Sequence, residues 1–479
     1  MIRSRLPIRR PRVPDATAWE RASRRELETA CTKTHPARLR LHSAYSDSFK
    51  GPALRSEPCA YEEDEVVKRY PIAIAGLGLL GLMVSACGAA TSATAKAPAS
   101  ITIGTLYSGS GAYATSSQPQ LAGLKFWMRQ ENSKGGVYVG AYKKRIPVKL
   151  VTYNDQSSAT TAATLYTQLI TQNKVNIMVA DFGSVLTAPA VTIAEEHHQL
   201  LFDPTGTGTA FFSPGNKYIV LTALPTSGIW PNPLTKFLLA QHISKVAILY
   251  DSNDFDASQA TTVDKGLIAG GVHPVYDQAV PTTTTSYGTL IQSIKATDPG
   301  AVLEFGYSTN DIPFLQALQS GGVKFPMVFT AFPGQLHQLL ESNVGQAGLS
   351  YTFSYGFPPQ LAYSSVNEGL GTSAFVSAFA PSDPSSVNFL DVAGYQTGLV
   401  IQAALDHATS LSQLALRNAV ASVSGSLKTI DGSFTINAEG AETGELLPVS
   451  EMFPSGSTTK IEMVYPLGSG THSVVYPAP

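Results

Sequence analysis

From Ile101 onward, short apolar runs alternate with longer stretches of helical spacing, and this alternation predicts strand, loop and helix in repetition. ITIGTLY is a β-branched run that ends in the polar loop SGSGAYA. The next stretch, LAGLKFWMRQENSKGG, has Leu121, Leu124, Phe126, Trp127 and Met128 apolar and stops at Gly135-Gly136, as a helix would. IPVKLVTYND, VNIMVAD and LLFDPTGTG read as strands with loops. SATTAATLYTQLITQN, with Leu165, Leu169 and Ile170 inward, and the stretch running to EEHH read as helices. The rhythm restarts after Pro225. KVAILYDSNDF, VHPVYDQAV, AVLEFGYSTN and FPMVFTAF are strand-like there, with helical LTKFLLAQH, ATTVDKGLIAGG, TTSYGTLIQSIKAT and DIPFLQALQSGG around them. The strand runs are apolar throughout rather than alternating, which predicts parallel sheets covered on both faces. The expected fold class is therefore α/β, with two doubly wound parallel-sheet lobes. Ligands of such sheets sit beyond the carboxyl ends of the strands, so two facing lobes place a cleft there.

Composition narrows the reading. The chain has 479 residues, 43% hydrophobic and 14% charged, which supports packed globular structure. The formal net charge is −2, but the basic excess lies in residues 1–86 and the rest is acidic on balance. An acidic body argues against nucleic acid, whose phosphates need clustered cations. Only Cys31, Cys59 and Cys87 occur, so the body after Cys87 has no disulfide, cysteine metal site or cysteine nucleophile.

Cys87 closes the most informative local segment. Lys68 and Arg69 precede the apolar run PIAIAGLGLLGLMVSA, and Cys87-Gly88 follows it. A basic start, an apolar stretch too short to span a membrane and small residues at its end describe a secretory signal, residues 68–86. Val84-Ser85-Ala86-Cys87 resembles the lipobox of bacterial lipoproteins, in which the cysteine is lipidated and becomes the mature N-terminus. Residues 87–100 then form a small, polar, Pro-containing tether. Residues 1–67 are Arg-rich without apolar period. They are either upstream of the true start or a cytoplasmic extension, and in both cases lie outside the mature fold.

Other motifs do not carry chemistry. His197-His198 beside Glu195-Glu196 lacks the HExxH spacing, and adjacent helical residues do not share a face, so these are read as exposed. The Gly-rich GTGTA lacks GxGxxG spacing, and no GK[ST] follows a glycine loop. No Ser/His/Asp set stands in a nucleophile-elbow context. No cofactor, metal or catalytic residue is expected.

The order of these segments is similar to that of the type I periplasmic binding proteins, specifically the leucine/isoleucine/valine-binding branch. The likeness runs from about Ile101 to the C-terminus. It rests on ITIGTLYSGSGAYA, NSKGGVYVGAYKKRIPVKLVTYNDQSSATTAA, VAILYDSNDFDAS, FLDVAGYQTGLVIQAALDHA with Tyr395, and TIDGSFTINAEGAETGELLPVSEMF. The resemblance implies segmental lobes joined by a three-strand hinge: 101–223 plus 353–430 as lobe one, 224–352 plus 431–479 as lobe two. It implies an extracytoplasmic substrate-binding lipoprotein, anchored to the membrane at Cys87, that delivers a small organic solute (amino acid, amide or carboxylic acid) to the permease of an ABC importer.

Candidate ligand residues follow. Ser108, Gly111 and Tyr113 form a loop whose glycines allow close backbone approach and whose tyrosine offers a wall. Gly183, Ser184 and Thr187 begin a helix, where the resemblance implies that Ser184 gives its hydroxyl and N–H to a carboxylate. The resemblance also implies that Thr205 or Thr207, flanking Gly206, donates to the same group. Phe255 and Tyr307 are the aromatics of lobe two. One departure stands out. Acids that pair with an amino-acid ammonium in this branch are missing at Thr330-Ala331-Phe332-Pro333 and in LTALPTSG, unless Asp254 or Asp256 substitutes. An uncharged or anionic solute follows. The rival readings are a ligand-sensing receptor of the same fold, which would carry a signalling segment after the closing SVVYPAP, and a secreted enzyme, which turnover would reveal.

Overall fold

The computed structural model describes residues 96–466 and 472–479. The extension 1–67, the signal 68–86, Cys87 and most of the tether lie outside the described residues. The described residues form one unit built on two main sheets.

The first sheet contains β1 (Ile101–Tyr107), β4 (Val148–Asn154), β5 (Ile177–Val179), β6 (Leu201–Asp203) and β7 (Ile219–Leu221), in the order β4-β1-β5-β6-β7. All its pairings are parallel. The strands β5, β6 and, at the edge, β7 are buried at every position, as uninterrupted apolar runs require. A small hairpin, β2 (Val137–Val139) with β3 (Lys144–Ile146), precedes β4.

The second sheet repeats the plan. β8 (Val246–Asp251), β9 (Tyr276–Val280), β10 (Ala301–Phe305), β11 (Val328–Thr330) and β12 (Thr352–Tyr355) run parallel in the order β9-β8-β10-β11-β12. Two antiparallel strands, β15 (Val449–Ser455) and β16 (Thr458–Tyr465), extend it beyond β12. In both sheets the first strand lies second from one edge, so the chain winds out in both directions from it. That reversal point is where open α/β sheets bind ligands.

The helices start where the sequence supplies caps. Ser158 accepts from Thr161 N, Asn253 from Asp256 N and Ser412 from Ala415 N. Asn388 and Asp391 form a capping box for the helix Phe389–His407, which returns the chain to lobe one. That helix lies against Ala114–Ser133 with no room between backbones. A Cβ on Gly394 would stand 1.9 Å from the Gln120 carbonyl, and one on Gly123 would stand 2.0 Å from that of Asp391.

The chain crosses between sheets three times. The expected boundary at 223/224 falls within the first crossing. The boundary at 352/353 is corrected: β12 pairs with β15 through Phe353–Tyr355, so the return follows Tyr355. The boundary at 430/431 is also corrected. It splits the hairpin of β13 (Lys428–Thr429) and β14 (Gly432–Ser433), which is tied to the lobe-one segment by Asn367 N donating to Lys428 O, so the third crossing comes later. The crossings run side by side, with Thr226 N donating to Glu442 O and Gly356 N to Pro448 O.

Gly394→Val is expected to cost about 1–3 kcal/mol or more through overpacking of this helix pair, and to lower the melting temperature by several degrees. Gly288, where an added Cβ meets nothing within 4 Å, is the control: Gly288→Ala is expected to stay within about 0.5 kcal/mol. Thermal melts of both variants check this.

Candidate functional site

The carboxyl ends of the two sheets face each other, and the loops leaving them carry every candidate residue. From lobe one come Tyr113 after β1, Phe182 to Thr187 after β5, and Thr205 to Thr207 after β6. From lobe two come Phe255 after β8, Tyr307 after β10 and Phe332 after β11. Five rings meet across the gap. Tyr307 lies 5.3 Å from Tyr113, 5.9 Å from Phe182, 5.3 Å from Phe255 and 5.8 Å from Phe332, ring centre to ring centre. Phe182 and Phe332 approach within 6.4 Å. Offset and edge-on arrangements of this kind add to the gain from burying the rings. Trp230 and Tyr355 continue the aromatic stack behind Phe255.

At the lobe-one wall the helix Gly183–His197 begins with no side-chain cap from its own N-cap residue. Its first donors find partners elsewhere. Gly183 N donates to Thr205 Oγ1 at 3.1 Å, and Ser184 N donates to the phenol oxygen of Tyr307 at 3.2 Å, across the lobes. Gly183 has φ +77°, and a Cβ there would press on the Tyr307 ring at 3.2 Å, so glycine is required for this approach. Ser184 Oγ accepts from Gly208 N at 3.0 Å.

The predicted hydroxyl set therefore divides. Thr205 Oγ1 donates to Gln120 Oε1 at 2.6 Å while accepting from Gly183 N, so it serves the wall of lobe one. Thr207 is fully buried and its hydroxyl has no partner; Thr187 is equally buried, beside Asp203. Gly206 sits against Thr187 and Asp203, where a Cβ would meet Thr187 Oγ1 at 2.4 Å. Ser108 does not reach the cleft. Its hydroxyl donates to Asp155 Oδ1 at 2.8 Å and its N–H to Ser117 Oγ at 2.8 Å, inside lobe one. Gly111, at φ +88°, is exposed and packs on Ser157, whose hydroxyl accepts from Tyr113 N. Its part is to set the turn that presents Tyr113.

The two proposed substitute acids are placed differently. Asp254 accepts from Ala210 N at 2.9 Å and from Thr209 Oγ1, bridging the lobes at an exposed edge. Asp256 is fully buried and accepts from Asn253 Nδ2. At the place of the missing acid stands Phe332, whose N–H donates to Asp311 Oδ2. The motif read as exposed is partly tied: Glu195 Oε1 accepts from Tyr218 N.

Sequence reasoning missed the layer of carboxyls beneath the cleft. Burial, and then the Asp155 charge, pushes Asp181 up to about 8. Burial raises Asp203 to about 7. In lobe two, burial and then Asp311 raise Asp251 to about 8, and burial raises Asp311 to about 7. Glu304 and Asp256 are held well above the usual carboxylate range by burial. These groups keep their protons near neutrality, so the cleft floor is less negative than its residue count suggests.

The sequence model of the family described as periplasmic binding protein matches residues 100–451. The chain belongs to the periplasmic binding protein family. Among curated relatives, the Leu/Ile/Val/Thr-binding protein of Salmonella typhimurium is 22% identical over 215 residues, 45% of this chain and 57% of that protein. The chain thus matches little more than half of that relative's length. A Leu/Ile/Val-binding protein homolog of Brucella abortus is 24% identical over 310 residues, 63% of this chain and 74% of that protein. Two solved structures share the fold of this periplasmic binding protein. The branched-chain amino acid transporter substrate binding protein of Streptococcus pneumoniae, in complex with isoleucine, has TM-score 0.64 and 18% identity, covering 77% of this chain and all of that one. An R. palustris ABC transporter solute binding protein in complex with benzoate has TM-score 0.63 and 16% identity, covering 78% and 98%. The fold and the two-lobed α/β class are those of type I periplasmic binding proteins.

The buried carboxyls give a pH dependence. In the unfolded chain each aspartate ionises near about 3.9, whereas in the fold Asp181, Asp203, Asp251 and Asp311 hold protons to about 7 or 8. Between those values the folded protein binds more protons, so stability is greatest at the acid end and falls as pH rises through 7 to 8. Melting temperatures are expected to drop from mildly acid to mildly alkaline buffer. Asp251→Asn, at a carboxyl whose oxygens have no hydrogen-bond partner, is expected to flatten that slope. A melting temperature that rises with pH over this range contradicts the account.

Proposed function

We propose that this periplasmic binding protein captures a small organic solute bearing a carboxylate or amide between its lobes, outside the cytoplasm, and delivers it to an ABC importer. The observation that carries the reading is the phenol oxygen of Tyr307 at Ser184 N. It marks a point where an uncapped helix N-terminus offers a donor to an oxygen reaching in from the cleft. A carboxylate oxygen at the same point would gain a charge-assisted bond in place of a neutral one. The Thr207 hydroxyl, buried and unpartnered beside it, supplies a further donor.

The rest of the solute would meet rings. Tyr113, Phe182, Phe255 and Phe332 surround Tyr307, and Phe332 stands where an ammonium-pairing acid was missed in the sequence. The carboxyls nearest the rings, Asp251 and Asp256, are raised by burial and hold protons, so they offer an ammonium little compensation for its desolvation. This favours an acid or amide without an ammonium over leucine, isoleucine or valine, though those names attach to several relatives. The benzoate complex of a protein with this fold is in keeping with that preference.

Calorimetric titration with benzoate and 4-hydroxybenzoate on one side, and leucine, isoleucine and valine on the other, decides between the classes. The aromatic acids are expected to bind at least as tightly. A lost hydrogen bond to a charged group costs about 1.5–3 kcal/mol, so Thr207→Val is expected to weaken binding of the preferred acid about ten- to hundredfold. Tight leucine binding with no response to the aromatic acids would restore the ordinary amino-acid reading.

We also read Cys87 as the lipidated N-terminus of the mature protein, on the strength of VSAC after its apolar run. Mass spectrometry of protein from membranes is expected to show a diacylglyceryl-modified Cys87 N-terminus. Unprocessed chain beginning at Met1 on the outer membrane face would contradict this.

A further inference from the structure

Cations gather at the base of lobe one, the end of its sheet away from the cleft. Between Lys125 and Lys149 the chain carries seven cations and one acid, Glu131, in a body that is acidic on balance. The fold collects them around β4 and the amino end of β1. Ile101 starts β1 opposite Val148, which starts β4, and Ile101 N donates to Pro147 O. The helix Ala114–Ser133 ends beside them, since the Asn132 side chain bonds both the N–H and the carbonyl of Val148. The hairpin of β2 and β3 is fastened to the same place. Arg145 donates to Gly136 O and to Glu131 Oε2, and Lys134 pairs with Glu131 Oε1 at 2.7 Å.

Glu131 is buried and spent on these two partners. Lys125, Arg129 and Lys149 line one open groove of about 700 Å³ against β4, the edge strand of the sheet, and no acid lines it. Met128, Leu150 and Val151 supply its apolar part. Lys143 and Lys144 stand exposed on the hairpin. None of these five cations has an ion pair among the described residues. Glu368 and Asp406 share a separate groove with Arg145. Unpaired cations beside apolar side chains suit a surface of anionic headgroups over acyl chains.

We propose that the base of lobe one docks on an anionic phospholipid bilayer, so that the protein meets its membrane through a basic face as well as through Cys87. The inference rests on the reading of Cys87 as the anchor, which sets the membrane beside this face. Residues 88–100 lead from Cys87 into β1 at the basic base, and fully extended they span at most about 45 Å. At physiological salt the attraction acts over about 8 Å, so it needs a body already held close. A basic patch then adds its electrostatic attraction to that of the lipid. The cleft lies at the carboxyl ends of the strands, so a body seated on its lobe-one base keeps the cleft clear of the bilayer.

Pellet the full-length protein with vesicles of phosphatidylcholine alone and of an equimolar mixture of phosphatidylcholine and phosphatidylglycerol, at low salt and in about 1 M sodium chloride. Apparent affinity for the anionic vesicles is expected to be at least about tenfold higher at low salt, and the gain to vanish at high salt. Combining Lys143→Glu, Lys144→Glu and Lys149→Glu is expected to abolish the gain. Combining Lys236→Glu, Lys265→Glu and Lys295→Glu makes the same charge change at exposed sites of lobe two and is expected to keep it. Unchanged melting temperatures show that both variants are folded. Amine acetylation of the wild type, read by mass spectrometry, gives the orientation. Lys143, Lys144 and Lys149 are expected to react more slowly on anionic vesicles, and Lys236, Lys265 and Lys295 at an unchanged rate. Equal affinity for the two kinds of vesicle at low salt, or a gain kept by the lobe-one variant, overturns the proposal. So does protection of these lysines by soluble polyglutamate without any vesicle gain, which assigns the face to an acidic protein. Failure to bind phosphatidylcholine counts against the anchor at Cys87, while a gain confined to anionic vesicles still supports this face.

Discussion

The hydrogen bond from Ser184 N to the phenol oxygen of Tyr307 joins the two lobes and, in the function we propose, marks where the solute is recognised. A buried N–H at a helix start must find an acceptor. Gly183 N finds Thr205 and Gly208 N finds Ser184, both within lobe one. Ser184 N alone of these three takes its acceptor from the opposite lobe. That bond can therefore be exchanged without disturbing lobe one. A neutral hydrogen bond is worth about 0.5–1.5 kcal/mol net and one to a charged group about 1.5–3 kcal/mol, so a carboxylate is favoured over the phenol at this position. The aromatic rings make the same exchange selective, because whatever displaces the phenol must also fit against four other rings.

The buried carboxyls are the counterpart of this apolar cleft. Asp251 at the end of β8, Glu304 in β10 and Asp311 in the helix after it all lie behind Tyr307 and Phe332. Left ionised, they would present several uncompensated charges to a low-dielectric layer, at a cost of several kcal/mol each. Holding protons, they become neutral, and Asp311 still accepts from Phe332 N to fix the loop that carries the ring. The cleft floor can then be built from acids without acting as an ammonium pocket.

How much of this could be read from the chain follows from what each feature depends on. The strands β1, β5, β6, β8 and β10 were legible because apolar runs with β-branched residues have few other fates. That Tyr113, Ser184, Phe255 and Tyr307 come together between the lobes was legible because each follows a strand end. Phe332 was in view as the replacement for an absent acid, but its contact with Phe182 and Tyr307 depends on closure between lobes far apart in sequence. Ser108 misled because a hydroxyl after β1 can turn outward to a ligand or inward to an acid. Asp155 and Asp181 come from two other strand ends, and only the fold brings them to it. The boundary at 352/353 erred for a related reason. β12 is too short to betray its sheet, and its partner β15 lies nearly a hundred residues later.

Closure itself is spread over several modest links rather than one strong interface. Tyr307 meets Ser184 in the centre, Asp254 meets Ala210 at an exposed edge, and Phe389 N meets the Gln335 carbonyl. The first and third are single hydrogen bonds; Asp254 also accepts from Thr209 Oγ1, and this exposed edge pair is weakened by solvent. The crossings add Thr226 to Glu442 and Gly356 to Pro448, which hold the three chain segments together without fixing the angle between sheets. In the function we propose, open and closed arrangements lie within a few kcal/mol of each other. Moving a two-state equilibrium from 1:99 to 99:1 takes about 5.5 kcal/mol of differential binding, within reach of a few charge-assisted bonds and ring contacts. A tighter interface would hold the lobes shut, and in the function we propose the solute could then neither enter nor leave.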